Sequence, residues 1–91
     1  MIRNLLTSLR MMFGIRKSRT PAELRQLLEE ELAGTGTEAA WDEFQWLPIR
    51  DQRLNRLRIA IPIEGRDTDE GRAAIQRALA ELQTMDDTAA A

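Results

Sequence analysis

A small all-α bundle is the fold this chain predicts, and three observations predict it. Leucines recur at helical spacing behind the capping motif Thr20-Pro21-Ala22-Glu23. A second apolar stripe with the same period runs through Ala74, Ile75, Ala78, Leu79, Leu82 and Met85. Gly34 and Pro48 break what lies between into short pieces. The expectation is three to four short helices, with a basic amphipathic helix at the N-terminus.

Residues 2–13 form that first predicted helix. Ile2, Leu5, Leu6, Leu9, Met12 and Phe13 recur at i, i+3, i+4 and i+7, an arc of about 120°. Arg3, Arg10 and Lys17 line one flank. Gly14 lowers helicity and Arg16 would enter the apolar arc, so the ordered helix ends near 13–15. Residues 16–19 read as a polar linker, and 1–19 together as a basic arm.

The helical domain is expected over 20–85. The Thr20 hydroxyl can accept from the amide of Glu23 while the Glu23 carboxylate returns to the amide of Thr20. Pro21 at the first helical position loses no hydrogen bond. Leu24, Leu27, Leu28 and Leu32 make the buried face, and Glu31 should sit at its rim. Arg25 and Glu29 are spaced to pair. Gly34 stops this helix, and Gly36 keeps it from resuming.

Trp41, Phe44 and Trp46 are three of the four aromatic residues, so the stretch 37–50 should carry much of the specific packing. Trp41 and Phe44 share one helical side and Trp46 does not. Pro48 ends the helix, because a residue before proline is pushed out of the α region. Asp51 can then cap a helix over 51–60, followed by an extended piece through Pro62. A rival pattern overlaps it: Leu57, Ile59, Ile61 and Ile63 alternate as in a strand, with Pro62 confining it to an edge. The last helix spans 68–85. Asp67-Thr68-Asp69-Glu70 offers a second capping box and places negative charge at its N-terminus. Residues 86–91 should be a disordered tail.

Charge divides along the chain. Residues 1–19 hold five basic side chains and no acid, hence +5; the remaining residues hold eight basic and fifteen acidic side chains, hence −7. Such a split points to an arm that meets a membrane surface, a nucleic acid or an acidic partner. The chain is 91 residues long, enough for one domain that buries roughly 60–65% of its unfolded surface. It has no cysteine and no histidine. That removes disulfides, thiolate metal sites and the usual general base. No apolar run approaches the ~20 residues of a membrane span.

Trp41-Asp42-Glu43-Phe44, followed by Pro48-Ile49-Arg50-Asp51, Leu54, Leu57 and Arg58, resembles a pattern in small uncharacterised bacterial proteins: W-D-[DE]-F, then P-I-x-D-P-x-L-x-x-I-R. Members are similar to this chain in an apolar N-terminal segment and a T-P-x-E helix before the tryptophan. The likeness covers residues 20–58. Gln52 stands where the pattern has proline, and Leu57 where it has isoleucine. The resemblance implies a helical domain near a membrane and no particular chemistry.

The expectation for function is a non-enzymatic interaction protein without cofactor or metal. Its candidate membrane- or partner-binding residues are Ile2, Arg3, Leu5, Leu6, Leu9, Arg10, Met12, Phe13 and Lys17. Trp41, Phe44 and Trp46 are a candidate docking cluster. Asp42 and Glu43 beside Trp41 are the strongest carboxylates for an enzyme site, but capping or pairing is the simpler role. Gly34-Thr35-Gly36-Thr37 resembles a phosphate loop only superficially, because it follows a helix and lacks G-K-[ST]. Arg50, Arg53, Arg56 and Arg58 suit phosphate. The acidic body and the absence of a nucleic-acid motif disfavour RNA or DNA, and those arginines are expected to pair with nearby acids. The arm has three readings: a core helix, a helix held reversibly at an anionic membrane, or a partner-binding or targeting segment. The two functions carried forward are a cytoplasmic protein attached peripherally to the inner face of the membrane, with a protein partner, and a soluble regulatory or antitoxin-like module. Homo-oligomerisation is compatible with both.

Overall fold

The structure, a computed structural model, describes residues 15–85. The expected helix over 2–13 and the expected tail over 86–91 lie outside the described residues. Within them are four α-helices, one 3-10 turn and no strand.

Helix α1 (Pro21–Ala33) begins as its sequence dictates. The Glu23 amide donates to Thr20 Oγ1 at 3.1 Å and the Thr20 amide donates to Glu23 Oε1 at 2.8 Å. Gly34, at φ +77°, ends the helix in the left-handed region that a Cβ would disfavour. Leu24 and Leu28 are fully buried, and Leu27 and Leu32 pack on the edge of the core. Helix α2 (Glu38–Trp46) is capped by Thr37, whose hydroxyl accepts from the Ala40 amide at 3.1 Å, and stops before Pro48. Phe44 is fully buried, and the Trp41 and Phe44 rings lie 5.0 Å apart in a tilted arrangement.

Helix α3 (Gln52–Ile59) decides the contest for the helix as far as Ile59, and residues 60–63 follow in turn and bend, with no strand. Asp51 accepts the amides of Arg53 and Leu54, which nucleates helical geometry before the alternating residues are reached. Leu54 and Leu57 are then buried at helical spacing. Ile61, just past the helix, is buried, while Ile59 and Ile63 face solvent. The alternation is therefore not used by a sheet.

A 3-10 turn at Gly65–Asp67, which the sequence patterns do not announce, leads into α4 (Asp69–Gln83). Thr68 caps α4 by accepting from the Gly71 amide at 2.9 Å. The expected capping box does not close. With Thr68 as the cap, the third helical residue is Gly71, which has no side chain to reach back. Ala74, Ile75, Ala78 and Leu82 are buried, with Leu79 and Met85 packed at the margin. Helices α1 and α4 pack together, the 3-10 turn closes against both, and α2 with α3 completes the bundle. Ile49, from the α2–α3 connection, is buried in the same core.

Candidate functional site

The segment read as a polar linker makes backbone hydrogen bonds to the domain. Lys17 and Ile49 form a parallel bridge: the Lys17 amide donates to the Pro48 carbonyl at 2.8 Å, and the Arg50 amide donates to the Lys17 carbonyl at 2.9 Å. Pro48 holds the preceding Leu47 extended, at φ −104° and ψ 113°, so the chain leaves α2 in the conformation such pairing needs. Side chains reinforce it. Lys17 Nζ lies 2.6 Å and Arg19 Nη2 3.1 Å from Glu43 Oε1. The Lys17 hydrogen bond holds the Glu43 carboxyl below the usual glutamate range; desolvation opposes it, and the Lys17 and Arg19 charges add to the lowering.

This attachment sets residues 16 and 17 beside the start of α3 and brings Arg16 and Arg56 to one depression. Arg16 shares a shallow depression of about 320 Å³ with Ile49, Gln52, Asn55, Arg56 and Ile59. Ser18, Arg19, Arg50 and Asp51 line a second of about 170 Å³. The expectation that arginines 50–58 pair with acids holds only in part. Arg53 pairs with Asp51 at 2.9 Å, and that hydrogen bond, then the Arg53 and Leu54 amides, holds Asp51 below its ordinary range. Arg58 turns inward, donating to the Gln45 carbonyl at 2.8 Å and to Asn55 Oδ1 at 2.9 Å. Burial lowers its pKa, and an arginine remains charged nonetheless. The side chains of Arg16, Arg50 and Arg56 make no hydrogen bond or ion pair to another described residue. Ile59, in the same depression as Arg16 and Arg56, is exposed, as is Ile15, the chain neighbour of Arg16.

Of the residues singled out from the sequence, Ile2, Arg3, Leu5, Leu6, Leu9, Arg10, Met12 and Phe13 lie outside the described residues. Lys17 is described, and its charge is compensated by Glu43. The aromatic docking cluster divides. Phe44 has no accessible surface and belongs to the core, because it points with Leu54 and Leu57 into the bundle. Trp41 is half-buried, its indole donating to the Ile63 carbonyl at 2.9 Å. Trp46 is 61% exposed.

Asp42 and Glu43 diverge, as adjacent helical residues about 100° apart must. Glu43 turns to Lys17 and Arg19. Asp42 lines a depression of about 250 Å³ with Trp41, Glu31, Glu38, Glu64 and Arg66 among others. The amides of Thr35 and Gly36 donate to the Glu30 carbonyl at 3.0 and 3.1 Å, so the Gly34–Thr37 loop closes α1 and presents no cradle for an anion. Among the described residues no cluster of three carboxylates, histidines or cysteines is arranged to hold a metal. No described helix is long and apolar enough to cross a membrane.

The sequence signal that could have found the face is Gln52, Arg56 and Ile59 at i, i+4 and i+7, a stripe opposite Leu54 and Leu57. No protein family, curated protein or solved structure matches the chain.

Proposed function

We propose that this is a non-enzymatic interaction protein whose N-terminal segment holds it reversibly at an anionic membrane, on the inner face of the cytoplasmic membrane. One observation carries the reading. An acid-free segment with six apolar residues at helical spacing runs into a domain surface where arginines have no described acidic partner. Apolar insertion alone must overcome the ordering of about a dozen residues, at roughly 1–2 kcal/mol each. Basic residues near an anionic leaflet add about 1 kcal/mol apiece and tip the balance. The acidic side around Trp41 and the exposed Trp46 are then left for a protein partner. In the soluble alternative, a regulatory or antitoxin-like module, that same Trp46 side is the docking surface and residues 2–13 pack on the domain or on the partner.

Co-sedimentation with vesicles separates the two. The full chain is expected to pellet with phosphatidylglycerol-containing vesicles and to stay in solution with pure phosphatidylcholine. Leu6→Asp combined with Leu9→Asp should abolish pelleting. If the wild-type chain fails to pellet at low salt, the membrane reading is lost and the soluble one stands.

A further inference from the structure

We infer that the folded domain also rests on the anionic lipid surface, through the outer face of α3. In this arrangement Arg16, Arg50 and Arg56 lie among the headgroups, and Ile15 and Ile59 enter the interfacial layer. The inference rests on the membrane reading above and adds a second, rigid contact to it.

The geometry of α3 provides the face. At about 100° per residue, Gln52, Arg56 and Ile59 fall on the side opposite Leu54 and Leu57, which are buried. Ile59 is 68% exposed and Ile15 is 47% exposed. Single exposed isoleucines are ordinary on a protein surface. Here Ile59 shares a depression with Arg16 and Arg56, and Ile15 adjoins Arg16 in the chain; no described carboxylate pairs with either arginine. The one acid between residues 49 and 59, Asp51, is occupied by Arg53 and by the two amides it caps.

Continuity with the N-terminal segment makes the same surface the target. The described chain starts at Ile15, and the next residue, Arg16, lines the depression that Arg56 and Ile59 share. The backbone bridge at Lys17 leaves this root little freedom to swing away. A lipid surface reached by residues 2–13 is therefore within reach of α3. Charge complementarity chooses the occupant. The basic N-terminal segment would meet Arg16, Arg50 and Arg56 as like charges, whereas an anionic headgroup layer meets them as opposite ones. A nucleic acid offers phosphates but no apolar layer for Ile15 and Ile59, and no residue from 49 to 59 is aromatic for base stacking.

The test uses the full chain and vesicles of phosphatidylcholine with and without phosphatidylglycerol. Arg50→Gln combined with Arg56→Gln should weaken binding to the anionic vesicles about 30-fold, at about fivefold per arginine. Ile59→Ser should weaken it about tenfold. Both changes lie on the surface, so thermal melts in solution should match the wild type. Because the chain has no cysteine, Ile59→Cys gives a unique site for an environment-sensitive fluorophore. That label should shift to the blue on anionic vesicles, while the same label on Asp42→Cys, in the acidic depression, should not move.

If the double-glutamine variant binds as the wild type does, or the label at position 59 stays in water while the protein pellets, the α3 contact is wrong and the anchor remains. Absence of wild-type pelleting removes both readings. A lower melting temperature for Ile59→Ser without lipid would mean that the chain's own N-terminal segment covers Ile59, which overturns the inference. So would a double-glutamine variant that loses affinity for a DNA or RNA oligonucleotide but keeps it for vesicles.

Discussion

Gly71 carries a conflict between helix propensity and packing. It lies in the first turn of α4, where alanine would ordinarily favour the helix by up to about 1 kcal/mol. A Cβ there would instead collide with the Gly65 carbonyl oxygen, and would lie 2.7 Å from its carbon. Backbone cannot yield as a flexible side chain can. Overpacking of this kind costs about 1–3 kcal/mol or more, so the contact wins. Gly71→Ala is expected to lower the urea midpoint. Gly36→Ala should not, since its Cβ would meet only ordinary contacts at 3.6 Å. Equal midpoints for the two variants would show that the 3-10 turn is not held against α4. The aromatic residues divide on the same principle of surroundings. Phe44→Ala should cost about 3–5 kcal/mol, because Phe44 is wholly buried. Trp46→Ala should stay within about 0.5 kcal/mol, as surface changes usually do. A large loss at Trp46 in chemical denaturation would indicate that this tryptophan is covered in solution.

For the elements, the useful boundary is where the N-terminal segment joins the domain. A capping box makes residue 20 a natural start for α1, yet the Lys17 bridge and the Lys17–Glu43–Arg19 cluster lie before it. A 15–91 fragment is therefore expected to melt close to the full chain, and a 20–91 fragment several degrees lower. A 15–91 fragment that melts well below the full chain would place residues 2–13 in the core. Acid should act at the same cluster. Glu43 titrates below its ordinary value in the folded protein, so its contribution is complete above about pH 4.3, the unfolded value. It is lost progressively as pH falls through the lower folded value. The difference in melting temperature between the 15–91 and 20–91 fragments should accordingly shrink in acid. A difference that stays constant down to pH 3 or so would assign the attachment to the backbone bridge alone.

For the whole molecule, the distribution of charge matters more than its net value of −2. Arg16 and Arg56 share one depression, and Arg50 lines another with Ser18 and Arg19. Glu31, Glu38, Asp42, Glu64 and Asp67, against the single cation Arg66, line the Trp41 depression. An anionic surface would attract the first side and repel the second, which orients the molecule as well as binding it. Screening at physiological ionic strength cuts the reach of these charges to ~8 Å. Vesicle binding should therefore fall steeply with added salt, and Arg3→Glu with Arg10→Glu should abolish it. Binding that survives both would be hydrophobic packing without electrostatic steering.

Local chemistry determined most of the fold in advance. Thr20, Gly34, Pro48, Asp51 and Thr68 each act on backbone groups within four residues, so helix starts and stops could be read from neighbours alone. The leucine and alanine stripes likewise follow from helical geometry. The contacts that only the tertiary structure decided join residues far apart in the chain. Lys17 finds Glu43 and the Pro48 carbonyl, Trp41 finds the Ile63 carbonyl, and Gly65 meets Gly71 across a turn with no sequence signature. Four arginines look equivalent between positions 50 and 58. Which of them is spent on Asp51 or on the Gln45 carbonyl, and which faces outward, depends on where α2 and α3 come to rest. A charge pattern in one dimension records the supply of cations, and packing in three dimensions determines which of them remain free to meet a surface.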